Sequence, residues 1–249
     1  MVGKRLGRLV WHELVTPSVA MARTFYGELL GWKLRTVHVS PELSYQMIEV
    51  SGTPIGSIVE SPSVPAGFWM GYTAVDDVDL TTTRVQGCGG RVVSAPQTVP
   101  SLGRFALIAD PAGAPLGISD GRAEDVPAGR SCFCWDELIV PSAEDVIPFY
   151  AGLLGWEAEQ YTSLASTWIL HSGDEQVATV SEASVAPHWL SHVMIDDLKA
   201  ALQRALRLGG QLRRDEHVLP GVGRFAVIAD PTGASLALFE PKNLERDLR

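Results

Sequence analysis

The chain has 249 residues, of which 46% are apolar and 20% are charged, and its formal net charge is −9. This composition is typical of a folded globular protein and excludes a disordered or membrane-spanning class. Because negative charge opposes a phosphate backbone and no cluster of Lys and Arg offsets it, we expect no nucleic-acid partner. No apolar run approaches membrane-spanning length, and the N-terminus lacks the apolar core of a signal peptide. We therefore expect a cytoplasmic protein without a membrane partner.

The first predicted elements form one β-α-β-β-β module. Alternating apolar residues predict a strand over 8–15, and Thr16-Pro17-Ser18 offers a cap for a helix over 19–30 that Gly31 ends. Turn residues then separate three apolar runs, which predict strands at 32–39, 45–50 and 54–60.

The same order of elements is predicted three more times. The second module has a strand at 68–75, a helix at 78–86, and strands at 91–95, 105–109 and 115–119. The third has a strand at 133–140, a helix at 143–154, and strands at 157–161, 167–171 and 177–182. The fourth has a strand at 189–195, a helix at 198–208, and strands at 211–214, 225–229 and 235–240.

The four modules arise from a duplication at a long period. The stretch WHELVTPSVAMARTFYGELLGW, which begins at Trp11, returns as WDELIVPSAEDVIPFYAGLLGW, which begins at Trp135. GRFALIADPAGAPLGI from Gly103 likewise returns as GRFAVIADPTGASLAL from Gly223. The polar stretch SDGRAEDVPAGR between the copies suits a linker. We predict an N-terminal domain at 1–120 (modules at about 7–62 and 66–120), a linker at 121–130, a C-terminal domain at 131–241 (modules at about 131–184 and 187–241), and a tail at 242–249.

FYGELLGW, FYAGLLGW, VDDVD and the two D-P-x-G turns resemble motifs of the vicinal oxygen chelate superfamily, which includes glyoxalase I, extradiol dioxygenases and bleomycin-resistance proteins. The two-domain form with W-x-E-L is most similar to actinobacterial glyoxalase-like proteins often labelled as hydroxylases. The resemblance implies an α+β fold with two tandem domains, each a pair of modules forming an open barrel around a cavity. It leaves open whether cavities form within each half or by exchange of modules between halves.

Metal-using members of the superfamily place His or Glu ligands at the start of a module's first strand and a Glu on the strand after D-P-x-G. The residues at the matching positions of this chain are Trp11, Trp135, Met70, Leu190, Gly117 and Ala237, and the remaining ligand region contains Gly56-Ser57 and Ala178-Thr179. These residues lack the donors that divalent cations require. The three cysteines, Cys88, Cys132 and Cys134, are too few for a disulfide framework or a metal site. We therefore expect no metal ligands and no cofactor.

Strand alternation indicates which side chains face the cavities. Leu14 and Leu138 should pack beneath the helices, which turns Glu13 and Glu137 the other way. By the same reasoning the candidate ligand-binding residues are Trp11, Tyr45, Met47, Met70, Tyr72, Trp135, Trp168, Leu190 and Phe239. Aromatic walls with a few polar groups are typical of small-molecule pockets. The alternative for Trp11 and Trp135 is that their rings simply plug a cavity, while Trp32, Trp69, Trp156 and Trp189 are expected in the cores.

Glu13, Glu137 and His192 are the candidate catalytic residues. A carboxylate among aromatic groups can act as a general base or accept a hydrogen bond from a ligand. The alternative is that each Glu pairs with backbone or with a duplicated arginine, Arg104 or Arg224, and that His192 serves the fold. The sequence does not decide between these interpretations.

Two functions stay open at this point. The first is metal-independent binding of a hydrophobic, aromatic small molecule such as a secondary metabolite, for resistance or as an accessory to a biosynthetic partner enzyme. The second is a metal-free enzyme, hydroxylase-associated or of the lyase or isomerase type, that uses Glu13, Glu137 or His192. Fold alone does not choose between them. Monomer and homodimer are equally compatible with the fused duplication.

Overall fold

The computed structural model describes residues 6–38, 44–99, 103–121, 128–161 and 166–242. The first module contains β1 (Leu9–Thr16), α1 (Val19–Leu30), β2 (Lys33–His38), β3 (Ser44–Val50) and β4 (Thr53–Glu60). The side chain of Ser18 accepts a hydrogen bond from the Met21 N–H at the start of α1, and Gly31 ends the helix with φ of 72°. The predicted capping residues of α1 are therefore confirmed.

The remaining modules repeat this order. The second contains β5 (Phe68–Ala74), α2 (Val78–Arg84), β6 (Arg91–Val99), β7 (Gly103–Ala109) and β8 (Pro115–Ser119). The third contains β9 (Phe133–Val140), α3 (Ile147–Leu154), β10 (Glu157–Gln160), β11 (Thr167–Ser172) and β12 (Glu175–Glu182). The fourth contains β13 (His188–Met194), α4 (Leu198–Arg207), β14 (Gln211–Leu219), β15 (Gly223–Ala229) and β16 (Ser235–Pro241). None of these helices is long and apolar enough to cross a membrane.

The strands form two eight-stranded sheets, one from each half of the sequence. Their strand orders are β2-β3-β4-β1-β5-β8-β7-β6 and β10-β11-β12-β9-β13-β16-β15-β14. The first strand of a module runs parallel to the fourth, as β9 with β12 and β13 with β16. The helix brings the chain back so that the second strand runs in the direction of the first, and two antiparallel hairpins then give the fourth strand that same direction. Each sheet is open at its two outer strands. The predicted α+β fold, with two modules in each sheet, is confirmed.

The chain groups into two compact units that do not follow the two halves of the sequence. The first unit comprises Met1–His12, Met70–Val126 and Trp135–Leu190, and so contains most of the second and third modules. The second comprises Glu13–Trp69, Pro127–Cys134 and Ser191–Arg249, and so contains most of the first and fourth. Sheets are thus built within a half, whereas hydrophobic cores are built from modules of different halves. Most of the linker expected at 121–130 and of the tail expected at 242–249 lies outside the described residues, and the domain bounds stay a prediction.

The core of the first unit packs α2 and α3 against β7, β8, β9 and β12. Trp156 is buried there, stacks on Tyr150 at 5.2 Å between ring centroids, and donates its indole N–H to the Gly7 carbonyl at 2.9 Å. Trp189 meets Tyr150 edge to face at 5.8 Å. Such aromatic pairs contribute about 0.5–1.5 kcal/mol each beyond their buried area.

The core of the second unit packs α1 and α4 and repeats this aromatic arrangement. Tyr26 stacks on Trp32 at 5.1 Å, and Trp69 approaches Phe133 at 5.3 Å. Trp32 donates its indole N–H to the Ser131 carbonyl at 2.7 Å. The expectation that Trp32, Trp69, Trp156 and Trp189 belong to the cores is confirmed.

Some element bounds differ from the predicted ones for local physical reasons. Helix α3 begins at Ile147, because the preceding backbone forms a turn in which the Ala143 N–H binds the Glu182 carboxylate at 2.9 Å. Strands β6 and β14 extend beyond the predicted ranges, because β-bulges let each of them stay paired with its neighbour through irregular sequence.

Candidate functional site

The first strand of each half has one face against the helices and one face turned away. Leu14 and Leu138 are fully buried in the two cores, whereas Glu13 and Glu137 on the alternate face are half-buried. Trp11 and Trp135 are also half-buried, two residues before each Glu. The alternation predicted for these strands therefore matches the structure. Side chains of the neighbouring strands lie on the same faces as these residues. They form four groups, two in each compact unit.

The Glu13 group lies in the second compact unit and consists of Glu13, Ser57, Met47 and Tyr45. The Ser57 hydroxyl donates a hydrogen bond to Glu13 Oε2 at 3.1 Å. Met47 lies directly opposite Ser57 in the β3–β4 ladder, and Tyr45 follows on the same face of β3. This group offers a carboxylate and a hydroxyl beside two buried apolar side chains.

The Trp135 group lies in the first compact unit and consists of Trp135, Glu137, Thr179 and Ile169. Thr179 lies opposite Glu137 in the β12–β9 ladder and opposite Ile169 in the β11–β12 ladder. The Trp135 indole N–H donates to the Thr179 hydroxyl at 3.2 Å. Ser57 and Thr179 are both hydroxyl residues on the fourth strand of their module. They differ in that one donates to a carboxylate and the other accepts from an indole.

Trp168 does not belong to the Trp135 group, contrary to its predicted place. The register sets Trp168 opposite Val180, which in turn lies opposite Leu138. Trp168 therefore shares the helix-covered face and packs against the core of the first unit. The predicted face is wrong by one residue of register, and Ile169 occupies it instead.

The Tyr72 group lies in the first compact unit and consists of Tyr72, Gly117, Phe105 and Met70. Tyr72 lies opposite Gly117 in the parallel β5–β8 ladder, and its ring occupies the space where a Cβ atom at position 117 would stand. Phe105 meets Tyr72 edge to face at 6.3 Å. Met70 precedes Tyr72 by two residues on β5 and is buried.

The His192 group lies in the second compact unit and consists of His192, Phe225, His217 and Phe239. His192 lies opposite Ala237 in the β13–β16 ladder, and its ring centroid is 5.0 Å from that of Phe225. Phe239 lies opposite Phe225 in the β15–β16 ladder, and the His217 ring is 5.4 Å from Phe225 on its other neighbour strand. Leu190 precedes His192 by two residues on β13 and is buried in the first unit.

The duplicated arginines do not bind the two candidate glutamates. Arg104 binds the Asp79 carboxylate, with Nη2 to Oδ1 at 2.7 Å, and Arg224 binds Glu240 at 2.9 Å. The first of these contacts lowers the pKa of the exposed Asp79 carboxyl, mainly through its hydrogen bonds with Arg104. The alternative in which Arg104 and Arg224 pair with Glu13 and Glu137 is therefore wrong.

A surface groove of about 800 Å³ lies in the second compact unit, apart from the four groups. It is lined by Arg224, Glu240, Val218, Leu219 and Pro220, among others. Arg224 and Val218 lie opposite each other in the β14–β15 ladder, one residue out of phase with Phe225 and His217. The groove therefore opens on the other side of these strands from the His192 group.

Comparison with known proteins places both halves in one superfamily. Residues 6–118 match the Glyoxalase/Bleomycin resistance protein/Dioxygenase superfamily, and residues 132–239 match a Glyoxalase-like domain. The anthracycline biosynthesis protein DnrV of Streptomyces peucetius is 31% identical over 94% of this chain and 93% of its own. The chain belongs to the vicinal oxygen chelate superfamily.

Two further comparisons bear on this vicinal oxygen chelate protein. The protein CFP32 of Mycobacterium tuberculosis (strain CDC 1551 / Oshkosh), named provisionally as a glyoxylase, is 29% identical over 95% of this chain and 96% of its own. The Mn(II)-bound glyoxalase from Novosphingobium aromaticivorans has a TM-score of 0.66 at 15% identity, covering 95% of this chain and 82% of that one. The second likeness establishes the shared fold and no more.

The superfamily motifs F-Y and D-P-x-G meet in each compact unit, and sequence reasoning missed this contact. In the first unit the Tyr150 hydroxyl donates to Asp110 Oδ2 at 3.0 Å, while the Gly113 and Ala114 N–H groups bind Oδ1. Burial is the largest cause that raises the pKa of Tyr150 well above 10, and Asp110 adds to it. Burial also raises the pKa of Asp110. The pKa of the equivalent Tyr26 in the second unit is likewise raised by burial and by Asp230.

The residues at the metal-ligand positions of this vicinal oxygen chelate protein do not fit a metal ion. Trp11 and Met70 carry no hard donor, and Gly117 carries no side chain. The Tyr72 ring fills the volume from which a glutamate at position 117 would extend. Within the described ranges, no group of three or more His, Cys, Asp or Glu side chains is arranged to hold a metal.

His12 and Asp136 form a buried pair that sequence reasoning also missed. They occupy equivalent positions of the duplication, and the His12 ring nitrogen lies within hydrogen-bond distance of the Asp136 carboxylate in the first compact unit. Both lie on the same alternate positions as Leu14 and Leu138, away from the Glu13 and Trp135 groups. The recurrence of a titratable residue at this position in both copies was the signal that could have revealed the pair.

Proposed function

We propose that this protein binds a hydrophobic, aromatic small molecule without the help of a metal ion. The observation that carries the proposal is the placement of the Tyr72 ring over Gly117. An aromatic ring stands where metal-using relatives would extend a carboxylate ligand, and Phe105 supports that ring from the side. Position 117 therefore offers an aromatic ring in place of a metal-binding carboxylate. An aromatic surface suits planar organic ligands.

The other three groups support the same chemistry. Each combines large apolar or aromatic side chains with one or two polar groups, as the Trp135 group does with its indole and the Thr179 hydroxyl. A site with apolar walls and a small number of fixed polar groups can orient a ligand that carries no charge. The Glu13 carboxylate, with its Ser57 hydroxyl at 3.1 Å, would accept a hydrogen bond from a ligand hydroxyl or amine.

The names of the relatives support a role in secondary metabolism. DnrV of Streptomyces peucetius and DauV of Streptomyces sp. (strain C5), which is 29% identical over 94% of this chain, are both named as anthracycline biosynthesis proteins. Anthracyclines are built on a planar fused-ring system. We infer that the ligand is a fused-ring metabolite, held either as an accessory step of biosynthesis or for resistance.

Titration of tryptophan fluorescence tests the proposal directly. The purified chain is titrated with a panel of fused-ring compounds, including 2-methylanthraquinone and anthraquinone-2-carboxylate, in buffer with EDTA. We expect saturable quenching by at least one compound, because Trp11 and Trp135 are half-buried on the proposed binding faces. Trp135→Ala is expected to weaken binding, whereas Leu206→Ser, at a position of α4 that is 52% exposed, is the matched control and leaves it unchanged.

Product analysis separates binding from catalysis. After incubation with a saturating compound, chromatography is expected to recover the compound unchanged. A new product that disappears in Glu13→Gln or Glu137→Gln would instead establish a metal-free enzyme and overturn the proposal. Absence of quenching across the whole panel would contradict both alternatives.

A further inference from the structure

Two basic side chains of β14 lie in or beside the His192 group, and the equivalent positions of the first half are uncharged. Arg214 and His217 are three residues apart on β14, so a regular strand would point them to opposite faces. A β-bulge between them changes this, because Arg214 lies opposite Val227 and His217 lies opposite Phe225. Val227 and Phe225 are themselves on one face of β15, so the bulge brings both basic side chains to the same face.

The basic side chains surround one aromatic ring. The Arg214 guanidinium carbon lies 5.4 Å from the centre of the Phe225 ring, and the His217 and His192 rings lie 5.4 and 5.0 Å from it. Phe225 and His192 are buried, whereas Arg214 is exposed and His217 is half-buried. An aromatic ring orients a guanidinium that lies over its face, and the N–H groups of that guanidinium stay available as hydrogen-bond donors.

Two glutamates near Arg214 and His217 in the sheet bind a different arginine. Glu216, on the bulged strand, binds Arg224 at 3.2 Å, and Glu240 binds Arg224 at 2.9 Å. Arg224 lies out of phase with Phe225 on β15, so these ion pairs belong to the other face. Asp215, inside the bulge, is exposed. Glu216 and Glu240 are thus held by Arg224 on the face away from Phe225.

The equivalent face of the first half carries no charge at these positions. The bulged strand β6 places Ser94 opposite Leu107 and Gln97 opposite Phe105, and Tyr72 stands where His192 stands in the second half. Both copies thus have a phenylalanine and a bulge at these positions, whereas the basic side chains occur only in the second copy. Since the whole chain has a net charge of −9, this concentration of basic groups is not a general property of its surface.

We propose that the His192 group, with Arg214, binds the carboxylate of an aromatic acid, while the Tyr72 group takes a neutral ring. Arg214 and His217 would donate hydrogen bonds to the carboxylate oxygens, and Phe225 and Phe239 would contact the attached ring. Hydrogen bonds between a guanidinium and a carboxylate are among the stronger ones in proteins and favour a planar, two-oxygen acceptor. This inference rests on the proposed function and adds to it the class of ligand for one of the two halves.

Two probes of matched shape test the inference by calorimetric titration. Anthraquinone-2-carboxylate and 2-methylanthraquinone differ in whether an acidic or a methyl group is attached to the same ring system. We expect the chain to bind the acid at least about tenfold more tightly than the methyl compound, and Arg214→Gln to remove about that factor for the acid alone. Ser94→Ala with Gln97→Ala, at the equivalent positions of the first half, is the matched control and leaves the preference for the acid unchanged.

The outcomes separate the inference from the proposed function. If both probes bind the chain equally, or if Arg214→Gln weakens both equally, the assignment of a carboxylate site is wrong and the aromatic-binding proposal stands. If neither probe nor any other compound of the panel binds, both are wrong. His217→Gln, which keeps a side-chain N–H donor, is expected to lower the affinity for the acid less than His217→Ala does.

Discussion

His12 Nε2 lies 3.0 Å from each carboxylate oxygen of Asp136, although 124 positions separate the two residues. Their side chains are 2% and 6% exposed, so water hardly screens the contact. The two residues stand at equivalent positions of the two copies. The copies have therefore diverged at this position to a histidine and an aspartate, which contact each other.

Removing one partner of this pair is expected to be costly. His12→Leu would remove the His12 ring from the buried Asp136 carboxylate, and we expect a loss of about 3–5 kcal/mol in the free energy of unfolding. The double variant His12→Leu with Asp136→Val should recover part of that loss, because apolar groups at both positions need no compensating partner. Urea unfolding followed by circular dichroism measures both. A single variant as stable as the parent chain, or a double variant no better than the single one, would contradict the buried pair.

The exposed ion pair between Arg104 and Asp79 gives the comparison for this experiment. Their contact is close and bidentate, yet the side chains are 34% and 58% exposed. Solvent screens such pairs, so Arg104→Gln should change stability far less than His12→Leu does.

The contact between Tyr72 and Gly117 predicts a specific coupling. Gly117→Ala places a methyl group inside the Tyr72 ring volume, and overpacking of this kind costs about 1–3 kcal/mol. Tyr72→Ala should remove that cost, so the double variant is expected to be more stable than the sum of the two single effects. Thermal or urea unfolding of the four proteins closes the cycle. Additive effects would mean that the ring does not lie over Gly117.

The buried tyrosines Tyr150 and Tyr26 predict a loss of stability in alkaline solution. Their pKa values are raised well above 10, mainly by burial, so both stay protonated in the folded chain at a pH where the unfolded chain ionises them. The folded state then binds more protons, and stability falls as the pH rises above 10. Each tyrosine contributes a slope of up to about 1.4 kcal/mol per pH unit. Unfolding measured from pH 8 upward should show a shallower fall for Tyr150→Phe, and an unchanged slope would refute the burial of a protonated Tyr150 as its cause.

Elemental analysis tests the absence of metal ligands. We expect protein purified without a chelator or a nickel affinity step to contain far less than one divalent ion per chain, because Trp11, Met70 and Gly117 offer no donors where the superfamily uses them. A stoichiometric divalent metal would mean that other residues of the chain form a site.

Much of the fold could be predicted from local signals. Helix α1 has the predicted bounds, because the Ser18 cap and Gly31 mark its ends in the sequence itself. Strands β8 and β9 also have the predicted bounds. The face of Glu13 followed from alternation, because buried and half-buried residues alternate along β1 from Val10 to Thr16.

The parts that sequence reasoning missed depend on contacts distant in the sequence or on irregular backbone. The hydrogen bond from Tyr150 to Asp110 joins modules of different halves, and neither residue signals its partner. Alternation predicts the wrong face for Trp168, because the register of β11 is set by its pairing with β12 and not by its own composition. Arg214 and His217 share a face only through a bulge, which alternation alone does not reveal.

Calorimetric titration with and without a metal ion distinguishes metal-independent binding from a metal-dependent function. Anthraquinone-2-carboxylate is titrated calorimetrically into chelator-treated protein, with and without added Mn²⁺, and the probe is then recovered and analysed. We expect saturable binding by the metal-free protein, the same affinity with Mn²⁺ present, and a chemically unchanged probe. Binding that appears only when Mn²⁺ is added, or recovery of a new product, would contradict metal-independent binding as the function of this protein.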